Sequence, residues 1–297
     1  FTEQGMGMVI PDDSRINFEI IIPPEHAHGA RQGNVVVVEI TQRPRRRVSP
    51  VGRIIEVLGE HMAPGMEIDV AIRSYEIPHS WPPAVGEQAA SIPAEVAEKD
   101  KANRVDIRNM RLVTIDDESA RDFDDAISIR YDADSREWTL GVHIADVSSF
   151  VEQGDPMDLE AMARGNSTYL PRVVLPMLPE ILSNGVCSLQ EGVNRFCKSA
   201  FITFDHRGVV IGQRFASTVI RSRKRLTYLE AQAIIDDDLQ EARKHMRSDT
   251  NCQPEVIEAI KEADRLAKAL QKRRLRDGMI VLNLPEAELF FDDEGHV

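Results

Sequence analysis

The chain has 297 residues, 42% hydrophobic and 29% charged, values that exclude a disordered tail and leave room for one large or two ordinary domains. Its 49 acidic and 36 basic side chains leave a formal net charge of −13, which argues against a broad basic face for nucleic acid. No apolar run is long enough to predict a membrane span, Phe1–Gly5 lack the basic and apolar regions of a secretory signal, and the three scattered cysteines (Cys187, Cys197, Cys252) point to a reducing cytoplasm rather than a disulfide framework or zinc site.

Residues 1–62 read as closely spaced strands: Gly7–Pro11, Phe18–Ile22, Val35–Ile40 and Gly52–Leu58, separated by Pro, Gly and Asn turn signals. That pattern predicts a small barrel or sandwich. Residues 63–103 carry Pro78, Pro82 and Pro83 and read as a connector with a short exposed helix near Glu95–Lys101. Beyond Val105 the spacing predicts a hairpin of Ala126–Tyr131 with Trp138–Ala145, a short helix over Asp158–Arg164 and an irregular stretch from Val173 to Leu189. A second hairpin joins Ser199–Phe204 to Val209–Phe215. One helix is expected from Leu229 to about Arg247 and another over Pro254–Asp277, with Val256, Ile257, Ile260, Ala263, Leu266, Ala267 and Leu270 on one stripe. The absence of an initiator Met suggests an excised piece of a longer protein.

Six acidic residues fall within ten positions: Asp116, Asp117 and Glu118, then Asp122, Asp124 and Asp125. Carboxylates this close raise one another's pKa unless a cation sits between them. Apolar segments flank the run, Leu112-Val113 before and Ala126–Ile129 after, so it does not read as a solvated tail. In an extended segment Asp122 and Asp124 share a side and Asp125 faces away, while Asp116 must fold back across a turn at Asp117–Ala120. Such a loop suits hard divalent cations, which take oxygen ligands and substrate phosphate; two of them held about 3.5–4 Å apart can activate a water and stabilise the leaving oxygen of a phosphodiester. Three other readings stay open on the residues alone: an acidic loop capping a hairpin, a calcium loop without the EF-hand pattern, and a nucleophilic Asp122-Phe123-Asp124 pair.

The segment Thr114–Ala126, TIDDESARDFDDA, resembles the catalytic signature of the ribonuclease II / ribonuclease R family. Val142–Ser148, Ser167–Pro171, Leu175–Leu189 and Arg225–Tyr228 follow in the family's order and spacing, most like the ribonuclease R branch. The resemblance implies an α+β chain: an incomplete OB-type (cold-shock) β-barrel over 1–62, then the N-terminal part of a mixed α/β nuclease domain over 104–297. It implies that Asp116, Asp122, Asp124 and Asp125 are catalytic and hold Mg²⁺, with Mn²⁺ as a substitute. It implies hydrolysis of single-stranded RNA from the 3′ end to nucleoside 5′-monophosphates. Tyr169 matches a tyrosine that packs on the terminal nucleotides, and Tyr228 an aromatic near the RNA path. Arg221, Arg223 and Lys224 are candidate phosphate contacts, with Arg225 beside them. A second basic group, Arg43, Arg45, Arg46, Arg47 and Arg53, lies in the barrel region. His143, Asp146 and the cysteines read as structural.

Two departures from the family pattern carry expectations. Gly5–Val9 has methionines where the cold-shock fold presents stacking aromatics, so weak RNA binding is expected there. The family's nuclease domain continues beyond a point like Val297, where it supplies a phosphate-contacting Arg and further acidic residues. The rival expectation is therefore an RNA-binding or scaffold fragment without activity.

Overall fold

The computed structural model describes residues 5–46, 48–61, 63, 65–171, 173–248, 252–282, 284 and 285. They fall into two compact units, one within Phe1–Ser80 together with Tyr169–Leu175, the other within Trp81–Thr168 and Pro176–Leu284.

The first unit is built on four strands, β1 (Gly7–Val9), β2 (Ile20–Ile22), β3 (Asn34–Gln42) and β4 (Val51–Glu60), in the order β1-β2-β4-β3. The long β3–β4 hairpin shifts register between Val35 and Val36, between Val37 and Val38, and between Ile40 and Gln42. Each shift bends and twists the ladder, which curls the sheet. Its core buries Ile20, Ile22 and Ile54 against Val36, Val38 and Val57. Helix α1 (Met66–Ser74) follows, tied to β4 where Arg73 donates to Glu56 at 2.5 Å.

The second unit opens with α2 (Pro83–Ser91) and α3 (Glu98–Lys101). The connector expected over 63–103 is therefore divided: α1 belongs to the first unit, α2 and α3 to the second. Pro83 begins α2 rather than breaking it, because a first-turn residue has no N–H to lose. Strands β5 (Val105–Asp106), β6 (Leu112–Asp116), β7 (Asp125–Asp132) and β8 (Glu137–Ala145) lead to α4 (Pro156–Arg164). A separate pair, β9 (Thr168–Leu170) and β10 (Val173–Leu175), belongs from Tyr169 on to the first unit, and the second resumes with a wide helical turn at Ile181–Val186, in the stretch expected to be irregular. Strands β11 (Asn194–Phe204), β12 (Val210–Arg221) and β13 (Lys224–Thr227) complete a seven-stranded sheet ordered β13-β6-β7-β8-β11-β12-β5. Its middle is an antiparallel meander, and its flanks are the parallel pairs β13–β6 and β12–β5.

Three helices close the described chain: α5 (Tyr228–Ile235), α6 (Leu239–Lys244) and α7 (Pro254–Arg276). The single helix expected from Leu229 to Arg247 is broken. Asp237 takes a left-handed φ of 63°, and the Asp238 carboxylate accepts from the N–H groups of Gln240 and Glu241. Three successive aspartates favour a turn and a new cap over helix continuation. On α7, Val256, Ile260 and Leu266 are buried as expected, whereas Ala267 faces solvent and Ala269 packs inward with Leu270 on Trp138 and Phe204.

Candidate active site

The acidic run is the connection between β6 and β7. The two strands pair at Leu112–Ser128 and Val113–Ile127 and then separate. Past that point β6 stays in the sheet through β13, where Thr114, Ile115 and Asp116 face Arg225, Leu226 and Thr227. Asp116 therefore ends one strand, and Asp125 begins the next opposite Ile144. The eight residues between them form the loop.

That loop is held mainly by its backbone. The Asp117 carboxylate accepts from the Ser119 N–H at 2.9 Å and its hydroxyl at 2.6 Å, closing the expected turn. The buried Ser188 hydroxyl donates to the Arg121 carbonyl at 2.7 Å and lies 3.2 Å from the Phe123 N–H. Leu189 N–H donates to the Phe123 carbonyl, and Ala145 N–H to the Asp124 carbonyl, each at 2.9 Å. Phe123 is buried in the main core, so its neighbours Asp122 and Asp124 turn to the opposite side. Arg225 stacks its guanidinium 4.8 Å above the Phe123 ring and donates to the carbonyls of Glu118 and Ala120. Glu118 pairs with Arg247.

The electrostatics follow from this packing. Partial burial pushes the Asp116 carboxyl up to about 6, and the charges of Asp125, Asp122 and Asp124 push the same way, against the pull of Arg225. One oxygen of Asp116 is buried with no hydrogen-bond partner among the described residues. Asp124 is also raised, by desolvation first and then by Asp122 and Asp125, although its outer edge meets solvent. A buried, unpartnered oxygen inside a like-charged cluster suits a cation. Among the described residues, however, no group of three or more His, Cys, Asp or Glu side chains has the geometry of a preformed metal cage. That is compatible with Mg²⁺, which usually takes only one or two carboxylates and completes its shell with water and substrate phosphate.

The other sequence candidates fare differently. Tyr228 is the first residue of α5, 59% exposed, and directly follows Thr227, the β13 partner of Asp116. Tyr169 is 66% exposed on β9 and belongs to the first unit, whereas the aspartates belong to the second. Arg221 and Arg223 are exposed, and Arg221 donates to the Gly192 carbonyl at 2.7 Å. Lys224 needs correction: it is only 1% exposed, points inward with Leu226, and lies 3.8 Å from the equally buried Glu230. A surface phosphate contact is therefore closed to it. In the barrel group, Arg53 pairs with Glu39, and Arg47 lies outside the described residues.

His143 is fully buried between the hydroxyls of Ser128 and Ser199 at 3.0 and 2.8 Å, and desolvation lowers it to about 4. Asp146 is buried on Arg104 at 2.7 Å. Burial raises all three thiols, Cys187 to about 12 and Cys252 to about 11, which leaves them unreactive. Sequence reasoning missed the anchors Ser188, Phe123 and Arg225. The one local signal was the apolar Phe123 between two aspartates.

Comparison with known proteins agrees with this layout. The sequence model of the RNB domain matches residues 104–297, and that of a cold shock domain matches residues 8–82. Ribonuclease R of Escherichia coli is 46% identical over 297 residues, which is all of this chain but 35% of that protein. The chain thus spans about a third of that relative's length. Mycoplasma genitalium RNase R in complex with ribose methylated single-stranded RNA superposes with a TM-score of 0.82 at 27% identity, covering 93% of this chain and 41% of that one. Yeast Ssd1, a pseudonuclease, shares the fold at TM-score 0.61 and 18% identity, covering 92% and 33%.

Proposed function

The chain belongs to the RNB domain family, with a cold-shock domain of OB type preceding the RNB domain, and on that premise we propose that it carries the aspartate site of a 3′-to-5′ exoribonuclease. The substrate is single-stranded RNA, and the products are nucleoside 5′-monophosphates. Asp116, Asp122, Asp124 and Asp125 between them would hold two Mg²⁺ ions, for which Mn²⁺ substitutes. When bound, the metal supplies an activated water and stabilises charge on the phosphodiester oxygens.

The observation that carries this reading is Asp116. Its buried, unpartnered oxygen and its carboxyl raised to about 6 describe a site built for a positive partner. The backbone anchors on Ser188 and Arg225 hold the loop through its carbonyls, an N–H and the Phe123 ring. Tyr169 and Tyr228 offer exposed rings on which any base stacks, consistent with sequence-independent handling of single strands. Arg221 and Arg223 are exposed for phosphate. No described helix is long and apolar enough to cross a membrane, and the free thiols suit a reducing cytoplasm.

The test is mononucleotide release from body-labelled single-stranded RNA in Mg²⁺, with EDTA as control. Asp125→Asn in the parent protein binds RNA and releases nothing; undiminished release rejects the assignment. Release by the parent protein but not by the 297-residue chain assigns this chain the inactive RNA-binding role instead.

A further inference from the structure

Strand register places a second feature beside the acidic loop. Asp125 on β7 faces Ile144 on β8, Ile144 faces Lys198 on β11, and Lys198 faces Ser217 on β12. Directly opposed residues share one face of a sheet, so these four side chains form a row running away from Asp125. The next row on that face is Ile127, Val142, Ala200 and Phe215. Helix α7 and its neighbours cover the start of this face, where Ile127 and Ile129 are packed. Farther out, Val142, Ile144, Lys198, Ala200, Phe215 and Ser217 line an open depression of about 490 Å³.

This depression has the chemistry of a nucleotide subsite. Phe215 is 74% exposed and Ile144 is 46% exposed, giving a ring and an apolar floor with nothing stacked on them among the described residues. Lys198 supplies the cation: its ammonium is held by the Ser217 hydroxyl at 3.0 Å and lies 3.4 Å from Asp146. Arg104 already pairs with Asp146 at 2.7 Å, so the three charges sum to a positive one. Lys198 and Phe215 are diagonal neighbours, about 7–8 Å apart, a span that one phosphate and its base can bridge. Two inter-strand steps of about 4.8 Å put Lys198 about 10 Å from Asp125. At about 3.4 Å per stacked nucleotide, and more when extended, that distance corresponds to the second or third nucleotide from the bond at the aspartates.

We propose that this depression binds one unpaired RNA nucleotide two or three positions upstream of the cleaved bond, its base on Phe215 and its phosphate on Lys198. The assignment rests on the exoribonuclease reading above. The occupant follows from continuity with the aspartate row and from charge: an anionic strand leaving the aspartates along this row meets the Lys198 ammonium and then the Phe215 ring. Stacking on Phe215 requires a base free of its partner, so the subsite also discriminates against duplex this close to the cut.

The test uses the 297-residue chain in EDTA, so that no hydrolysis intervenes, and fluorescent oligoadenylates of one to six nucleotides read by anisotropy across a salt series. Phe215→Ala weakens binding of trimers and longer oligomers by at least about 5-fold, the low end of base–aromatic stacking, and Phe215→Trp restores it. Lys198→Ala lowers the salt slope by about 0.7. Neither variant changes mononucleotide binding. Both side chains are exposed, and unchanged melting temperatures confirm that the variants fold. Wild-type affinity and slope in both variants overturn the subsite while leaving the nuclease reading intact. A wild-type chain that binds no oligomer overturns the subsite, and failure of the parent protein to release mononucleotides in Mg²⁺ separately overturns the nuclease reading. Loss of self-association in Phe215→Ala with unchanged RNA affinity assigns the face to a second copy and also overturns the subsite.

Discussion

Replacing Asp116 by Asn should make the metal-free chain more stable. The carboxyl is raised to about 6 in the fold, against an unfolded value of about 3.9. The folded state therefore binds more protons than the unfolded state between about pH 4 and pH 6. Stability falls as pH rises through that window, and the penalty is fully in place above it. Two pH units correspond to about 2.7 kcal/mol. Asp116 is only partly buried, so solvent screening reduces this to about 1–1.5 kcal/mol. Asn keeps the shape and removes the charge. At pH 7.5 in EDTA the variant should melt about 2–6 °C above the wild type, given about 2–4 °C per kcal/mol for domains of this size. At pH 4, where the folded carboxyl is protonated and the unfolded one about half so, most of the difference should be gone. Adding Mg²⁺ at pH 7.5 should raise the wild type and leave the variant nearly unchanged, reversing or closing the gap. Scanning calorimetry at the two pH values, with and without Mg²⁺, gives all four numbers. A variant no more stable than the wild type at pH 7.5 in EDTA, or a gain undiminished at pH 4, refutes the argument that uncompensated charge defines this site.

Three further outcomes follow from the same structure. Ser188→Ala strands the Arg121 carbonyl and the Phe123 N–H, so denaturant unfolding should show a loss of about 1–3 kcal/mol, and Mg²⁺ should bind more weakly by titration calorimetry. His143 sits near 4 in the fold and near 6.5 unfolded, so its neutral form supports stability above about pH 6.5 and loses that support as pH falls toward 4. Relative to His143→Gln, the wild type should lose up to about 3 kcal/mol across that window, measured by urea unfolding at stepped pH. Lys224→Met should leave the salt slope of RNA binding unchanged and lower stability by about 2–3 kcal/mol, because it leaves Glu230 buried without its cation; a reduced slope would return Lys224 to the RNA path.

The acidic run was legible in the sequence because apolar segments frame it and because its spacing belongs to a recognisable series. Strands β7, β8, β11 and β12 were legible from their alternation and turns, and α7 from its stripe. Lys224 was misread because a cation among arginines looks like surface. Yet Arg223, Lys224, Arg225, Leu226 alternate as strand residues do, and Lys224 shares the inward face of Leu226. The helix break at Asp236–Asp238 lost out to the apolar pattern on both sides. Ser188 gave no local signal, since its partners lie more than sixty residues away and the contact exists only once the chain has folded.

Those distant anchors explain how so crowded a set of charges stays in place. A loop bearing Asp116, Asp122, Asp124 and Asp125 cannot be rigidified through those carboxylates without spending the oxygens that a cation needs. The fold instead uses a buried aromatic between two of them, a serine bridging two backbone groups, an arginine on two carbonyls, and a neighbouring parallel strand under Asp116. Each of these holds backbone or ring. The pseudonuclease Ssd1 shares this architecture at 18% identity, so the fold by itself does not carry catalysis. In this chain Asp116 combines a buried oxygen that has no hydrogen-bond partner among the described residues with a carboxyl raised by burial and by Asp125, Asp122 and Asp124, against the pull of Arg225.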